Sequence, residues 1–234
     1  MSNTSPSAST PISRHYVIIV AIFVACLITS NIIAVKLISV FGLLLTAAIV
    51  IFPVSYIIGD VITEVYGYAR ARQVIWLGFL GNAIAVIAIW LGGLLPAAGF
   101  WEQQDSYEAI LGATPRILLA SFFAYLLGEF ANAYVLAKMK IAMAGRMLWA
   151  RTIASTLVGQ GLDSVVFVLI AFTGLIPAEA LILTIVTQWL VKSAYEAVAT
   201  PVTYVVVGYL KREDASDVYD TDTSFNPLRM SGRE

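Results

Sequence analysis

Two carboxylates stand inside or at the mouth of an apolar span in the stretch 53–67, PVSYIIGDVITEVYG. If that stretch is helical, Tyr56, Asp60 and Glu64 follow one another at i, i+4 and i+8 and lie along one face. A charged side chain at the centre of a membrane helix costs about 2.5–3.5 kcal/mol on insertion scales, so such residues face a bundle interior or a wet cavity and mark a functional path. The face therefore reads as the start of a polar pocket.

Four more apolar segments carry polar groups, three of them at matching intervals. Thr29, Ser30 and Asn31 close the first span. Tyr125, Glu129 and Asn132 share one face of a later span, and Thr156, Gln160, Asp163 and Ser164 nearly share one in the next. Most regular are Thr184, Gln188, Lys192, Glu196 and Thr200, which recur every four residues, with Tyr195 beside them. A structural reading exists for each: hydroxyls and amides join helices by hydrogen bonds, and Lys192 can do no more than pair with Glu196. Their joint number favours a shared pocket. Five acids (Asp60, Glu64, Glu129, Asp163 and Glu196) stand against one base, Lys192, which leaves four uncompensated charges if all ionise. Either some carboxyls hold protons, or the cavity is wet and awaits a cationic or donor-rich guest. Both outcomes suit transport.

The elements that must position these groups follow from composition. The 234 residues are 59% hydrophobic and 12% charged, with a mean hydropathy of +0.85. A soluble domain is about 25% charged, so this is an integral membrane protein. The expected architecture is all-α, with six transmembrane helices at about 16–35, 41–64, 73–95, 116–139, 152–173 and 178–208. A disordered tail (1–13) precedes the six-helix domain (14–210), and a floppy polar tail (211–234) follows it. Between the third and fourth spans, the apolar positions Phe100, Trp101, Tyr107, Ile110 and Leu111 suit a helix lying at the interface. Eleven of the fourteen basic residues fall on the side of the N-terminus, which places both termini in the cytoplasm. Asn31 and Asn132, Gly59–Asp60 and Gly159–Gln160, and Glu64 and Ser164 echo at offsets of 100 or 101, the pattern that two inverted three-helix repeats would leave. Glycines 78, 81, 92 and 93 would allow close helix contact in a homodimer.

Enzyme chemistry finds little support. The single Cys26 excludes an internal disulfide, and the sole histidine, His15, precedes the first span. No His-Glu-x-x-His or Gly-x-Ser-x-Gly occurs, and Ile57 stands where a membrane aspartyl protease would have its first glycine beside Gly59 and Asp60. An acid dyad such as Asp60 and Asp163 is the remaining enzymatic option. No cofactor or metal is expected, and no nucleic-acid partner.

Several of these motifs, in order, resemble the queuosine precursor transporter family, formerly grouped as vitamin uptake transporters. They are 53–67 followed by Tyr68, Arg70 and Arg72; then Gly128, Glu129 and Asn132 leading to Leu136, Ala137, Lys138 and Lys140; then Arg151, Thr152, Ser155, Thr156, Gly159, Gln160, Asp163 and Ser164. The resemblance implies import across the bacterial inner membrane of 7-deazaguanine bases, preQ0 and preQ1, for tRNA queuosine modification. The implied ligand suits the residues. A deazaguanine edge offers adjacent N–H donors to one carboxylate, an amide suits its carbonyl, and Tyr56, Tyr125 or Tyr195 could stack on its face. The expected ligand or coupling path is Asn31, Tyr56, Asp60, Glu64, Glu129, Asn132, Gln160 and Asp163, with Gln188, Lys192 and Glu196 as opposite wall or gate. The alternative within transport is a substrate-binding subunit of an energy-coupling-factor vitamin importer, whose ATPase a partner would supply.

Overall fold

A computed structural model describes residues 13–40, 43–112 and 115–229. Helix α1 (Arg14–Ile33) starts where the Ser13 hydroxyl accepts the backbone N–H of His15 at 3.0 Å, an N-cap. An antiparallel hairpin of β1 (Leu37–Val40) and β2 (Leu43–Thr46) follows, then a 3-10 turn (Ala47–Val50) and α2 (Phe52–Tyr66), which has Pro53 in its first turn. The chain continues as α3 (Tyr68–Leu94), the short α4 (Gln104–Leu111), α5 (Pro115–Ala142), α6 (Leu148–Phe172) and α7 (Ala178–Glu213).

Among the described residues, four stretches are long and apolar enough to cross a membrane: α1, α3, Gln104–Ala142, which holds α4 and α5, and α6. The protein is thus a largely helical membrane protein. The second span expected over 41–64, with Pro53 as its natural kink or break, is not one helix: α2 begins at Phe52, beside that proline. Of its described residues, 43–46 form β2 and 47–50 the 3-10 turn, and α2 has only 15 residues, or about 22 Å. An apolar run by itself does not distinguish strand from helix, and the Leu, Ile and Val of 37–46 satisfy either. Since a two-stranded sheet has open edges that hydrocarbon cannot satisfy, the hairpin must lie at the water boundary or against protein.

Helix α2 is the buried axis, packed against α1, α3, α5 and α7. The start of α1, the end of α2, the start of α3, the end of α5, the start of α6 and the end of α7 all meet at one end of the bundle, so the long helices run alternately away from it and towards it. The contacts are between named groups. Asp214, just past α7, receives hydrogen bonds from Ser13 and Tyr66, and its Oδ1 lies 2.6 Å from His15 Nδ1. Arg70 stands over the Tyr16 ring, and Lys138 over Phe225.

Residues 214–229 are not the floppy tail expected. They fold back over this end of the bundle. Val218 N–H donates to Val65 O, and the Asp220 carboxylate accepts Tyr68 N–H at 2.9 Å, filling the N-terminus of α3. Arg72 donates to the carbonyls of Ser224 and Asn226, and Trp76 to that of Pro227. Gly67 makes the approach possible. Its φ is +83°, and a Cβ there would stand 2.7 Å from Val218 Cγ1. Residues 1–12 of the expected N-terminal tail lie outside the described residues.

The glycines offered for a dimer are used inside the chain. Added Cβ atoms at Gly78 and Gly81 would meet Phe23 and Val24 of α1, and those at Gly92 and Gly93 would meet Tyr107 of α4. Cys26 is buried and unbonded within α1, and α4 forms where an interfacial helix is expected, with none of its residues buried.

Candidate substrate site

Two glycine contacts fix the centre of the site. Gly128 of α5 and Gly159 of α6 cross so closely that a Cβ on Gly159 would lie 2.7 Å from Asn132 Cβ, and one on Gly128 would lie 2.9 Å from Asp163 Cβ. This packing aims Asn132 at α2, where its Nδ2 donates to Asp60 Oδ1 at 2.7 Å. Gly59 does the same for the other face of α2. A Cβ there would lie 3.3 Å from Glu129 Oε2, so the Glu129 carboxyl rests over the α2 backbone beside Asp60. Tyr56, one turn earlier on α2, is buried, as is Gln160 of α6. Glu196 approaches from α7, and Asp60, Glu129 and Glu196 stand near enough for their charges to act on one another.

The charge balance differs from the one expected. Glu64 belongs to a separate ionic cluster at the basic end. Arg151 grips both its oxygens, Lys211 lies 2.8 Å from Oε1, and Lys140 lies 3.8 Å from that same oxygen while also bonding Asp217. Asp163 takes Lys192 as its partner across helices, at 2.5 Å, with the ammonium 4.9 Å above the Phe52 ring. Lys192 does not pair with Glu196. With Glu64 and Asp163 offset, three acids remain without an ion pair among the described residues: Asp60, Glu129 and Glu196, all at most 4% exposed.

Unpartnered atoms gather in the same region. Asp60 Oδ2, Asn132 Oδ1, Gln160 Oε1 and Glu196 Oε1 are buried with no hydrogen bond, as are the hydroxyls of Ser164 and Thr203. Leaving a buried polar group unpaired costs about 1–3 kcal/mol, more if charged, so this many together mark a place built for something besides folding. The four carbonyl and carboxylate oxygens are acceptors, which selects a guest rich in donors. Pro201, five residues past Glu196, removes one helical N–H from α7 and so loosens the helix beside the site.

Other expected members lie apart. Asn31 is exposed and donates to Asn82 of α3 at 2.9 Å. Gln188 is half-buried one turn before Lys192. Tyr125 gives its hydroxyl to the Ile75 carbonyl, and Tyr195 is exposed, which leaves Tyr56 as the buried ring best placed for stacking. Sequence reasoning missed the assignment of Arg151, Lys140 and Lys211 to Glu64. The available signal was their sign alone, since those partners lie 76 to 147 positions away.

In this conformation the helices enclose little space at the site. A cavity of about 10 Å³, room for one water, is lined by Gly59, Thr63, Glu129 and Asn132 on one side and Phe23, Val74 and Ile75 on the other. A larger one, about 270 Å³, sits between α3 and α4 against Pro96, Trp101 and Tyr107, with none of the acids in its lining. A ligand of purine size reaches the polar cluster only if the helices part. Among the described residues no group of His, Cys, Asp and Glu is arranged to hold a metal ion.

Over residues 46–206 the chain matches the model of a family described as "Putative vitamin uptake transporter". It is 30% identical over 192 residues to a Bacillus subtilis protein named "Probable queuosine precursor transporter", covering 81% of this chain and 83% of that one. It is 27% identical over 156 residues to an Escherichia coli protein named "Queuosine precursor transporter", covering 65% of this chain and 66% of that one. No solved structure matches it.

Proposed function

The chain belongs to the vitamin uptake transporter family, a family of transporters and not of enzymes, and from that premise we propose that it imports queuosine precursors, the 7-deazaguanine bases preQ0 and preQ1, across the bacterial inner membrane. The observation that carries this reading is the set of buried acceptor atoms without partners, Asp60 Oδ2, Asn132 Oδ1, Gln160 Oε1 and Glu196 Oε1, with the buried Glu129 carboxyl beside Gly59. A 7-deazaguanine presents adjacent N–H groups on one edge, a carbonyl and a flat face, and the cluster offers carboxylates, amides and the Tyr56 ring. Such a site would be a poor match for an anionic vitamin.

In this reading α2 and α7 complete six passages, and the end where the basic residues and both helix termini gather faces the cytoplasm. Helix α7, 36 residues and about 54 Å long, has ample reach. Asp163 and Lys192, with Gln188 a turn away, form the wall or gate on the other side of the bundle. Glu64 is needed to hold the cytoplasmic end together and does not touch the ligand. Asn31, bound to Asn82, takes a similar part between α1 and α3.

The test uses a cell that depends on supplied precursor, with each base given separately and tRNA modification read out. Asp60→Asn and Asp163→Asn should each abolish uptake while the protein still inserts at normal level. Normal uptake in both variants would remove the pocket. Uptake by the purified protein alone in liposomes would show that it needs no ATPase partner.

A further inference from the structure

The five intramembrane acids are not equivalent once their partners are counted. Glu64 is held by Arg151 and Lys211, Asp163 by Lys192, and Asp60 has one oxygen committed to Asn132. A carboxylate accepting two parallel N–H bonds needs both oxygens free. Among the described residues Glu129 and Glu196 meet that condition, since neither carboxyl makes a hydrogen bond or an ion pair. They enter from different helices, α5 and α7. Glu129 lies over Gly59 and lines the small cavity with Asn132, whereas Glu196 is buried with its Oε1 unpartnered and lies outside the lining of that cavity.

The site therefore holds two separate uncommitted carboxylates, and one flat base edge can occupy only one of them. Asn132 Oδ1 and Gln160 Oε1, unpartnered in residues at most 2% exposed, add two acceptors that call for donors, and Asn132 lines the same small cavity as Glu129. Placed against Glu129, a deazaguanine would have its paired N–H edge on that carboxylate, with Asn132 alongside. The second carboxylate is then left facing the ring's other end, where a neutral substituent would strand it and an ammonium would complete it.

We infer that Glu129 reads the paired N–H edge of the base, while Glu196 is a specificity residue that favours a cationic aminomethyl substituent over a neutral one of similar size. This rests on the reading of the chain as a carrier of 7-deazaguanine bases. Asp60, tied to Asn132, is a positioning residue for that amide.

The experiment is equilibrium binding of the aminomethyl and the cyano 7-deazaguanines, both radiolabelled, to the purified full chain in detergent. The isosteric variants Glu196→Gln and Glu129→Gln are compared with the unaltered protein, and thermal stability is measured alongside so that a folding defect is recognised. The unaltered protein should prefer the aminomethyl base by roughly tenfold or more. Glu196→Gln should erase that preference by weakening the aminomethyl base roughly ten- to a hundredfold and changing the cyano base by about threefold at most. Glu129→Gln should weaken both. Equal effects of Glu196→Gln on the two bases, or none, would overturn the assignment with the substrate reading intact. An unaltered protein that binds neither base would take that reading down together with this one. Should Glu129→Gln or Glu196→Gln unfold, Glu129→Asp and Glu196→Asp, which keep the charge and withdraw it by one methylene, must reproduce the same split or the assignment fails.

Discussion

Arg151 and Glu64, 87 positions apart in sequence, meet in a two-pronged ion pair buried at the start of α6 and the end of α2, each residue 1% exposed. Lys211 and Lys140 close on the same carboxylate, and Asp217 bridges the two lysines. Three cations thus share two carboxylates, with the polar tail as one member. Removing one partner of such a pair strands the other charge, which costs about 3–5 kcal/mol. Glu64→Gln should therefore lower the melting temperature in detergent markedly and reduce the amount of protein in the membrane, because it strands Arg151 and leaves Lys140 and Lys211 with Asp217 alone. Arg151→Met should do so less severely, since two lysines still face Glu64. Normal stability in Glu64→Gln would mean the cluster is not what secures this end.

Closure of the same end by residues 214–229 depends on pH in a direction that can be worked out. Burial pushes the Asp214 carboxyl up, but hydrogen bonds from Ser13, Tyr66 and His15 together outweigh it and hold the group below the ordinary carboxylate value. Asp217 is likewise raised by burial and brought down further by Lys140 and Lys211. A carboxyl depressed in the folded state stabilises it above the unfolded value, about 3.9, and that contribution fades as pH falls through the lower folded value. Hydrogen exchange of the backbone N–H of Val218 should thus be slow at neutral pH and accelerate, relative to the helices, below about pH 4. In Asp214→Asn with Asp217→Asn it should already be fast at neutral pH, with the acid dependence gone. A tail equally protected at both pH values would refute the link.

How much of this was readable beforehand depended on whether the relevant partner was local. Tyr56, Asp60 and Glu64 were placed on one face by spacing alone, and all three are buried. Helical spacing also placed Lys192 one turn before Glu196, yet the lysine reaches Asp163 on the next helix, because crossing geometry and not periodicity decides which long side chains meet. The same limit applies to Glu64, whose cations come from α5, α6 and α7. The tail was misread because acidic and polar composition resembles disorder, while its order comes from single contacts such as Asp220 on the free N–H of Tyr68. Strand β2 departs from expectation for the opposite reason: its composition is that of the span expected from 41, whereas β1 falls in the gap between the first two expected spans.

The Gly159–Asn132 contact predicts a packing effect at the site. A side chain on Gly159 would press on Asn132 Cβ and on the Gly128 carbonyl, 2.9 Å away, both of which are backbone or nearly so and cannot swing aside. The crossing of α5 and α6 must then widen and draw Asn132 off Asp60. Gly159→Val should cost about 1–3 kcal/mol of stability and abolish binding of either base, whereas Gly99→Ala, with open space around it, should change neither. Undiminished binding by Gly159→Val, measured on purified protein, would show that the Asn132–Asp60 bond is dispensable.

The Lys192–Asp163 pair joins two helices away from the Glu64 cluster and is more exposed to solvent than the pairs on Glu64, with side chains 24% and 12% accessible. It joins α6 to α7 and, through the Phe52 ring, reaches the first residue of α2. Its strength should fall between that of a surface pair and that of a buried one, so a coupling of about 1–2 kcal/mol is expected. The signature is non-additivity. Lys192→Met leaves Asp163 as a fourth uncompensated acid beside Glu129, and Asp163→Asn leaves a bare ammonium against Phe52, but the double variant leaves neither. Chemical unfolding of the two single variants and the double should therefore show the double less destabilised than the sum of the singles. If the pair is also the gate, the double variant should regain stability and still transport poorly, because no charge remains to break and remake as the helices part. Strict additivity in the cycle would leave Lys192 and Asp163 as neighbours that do not act on each other.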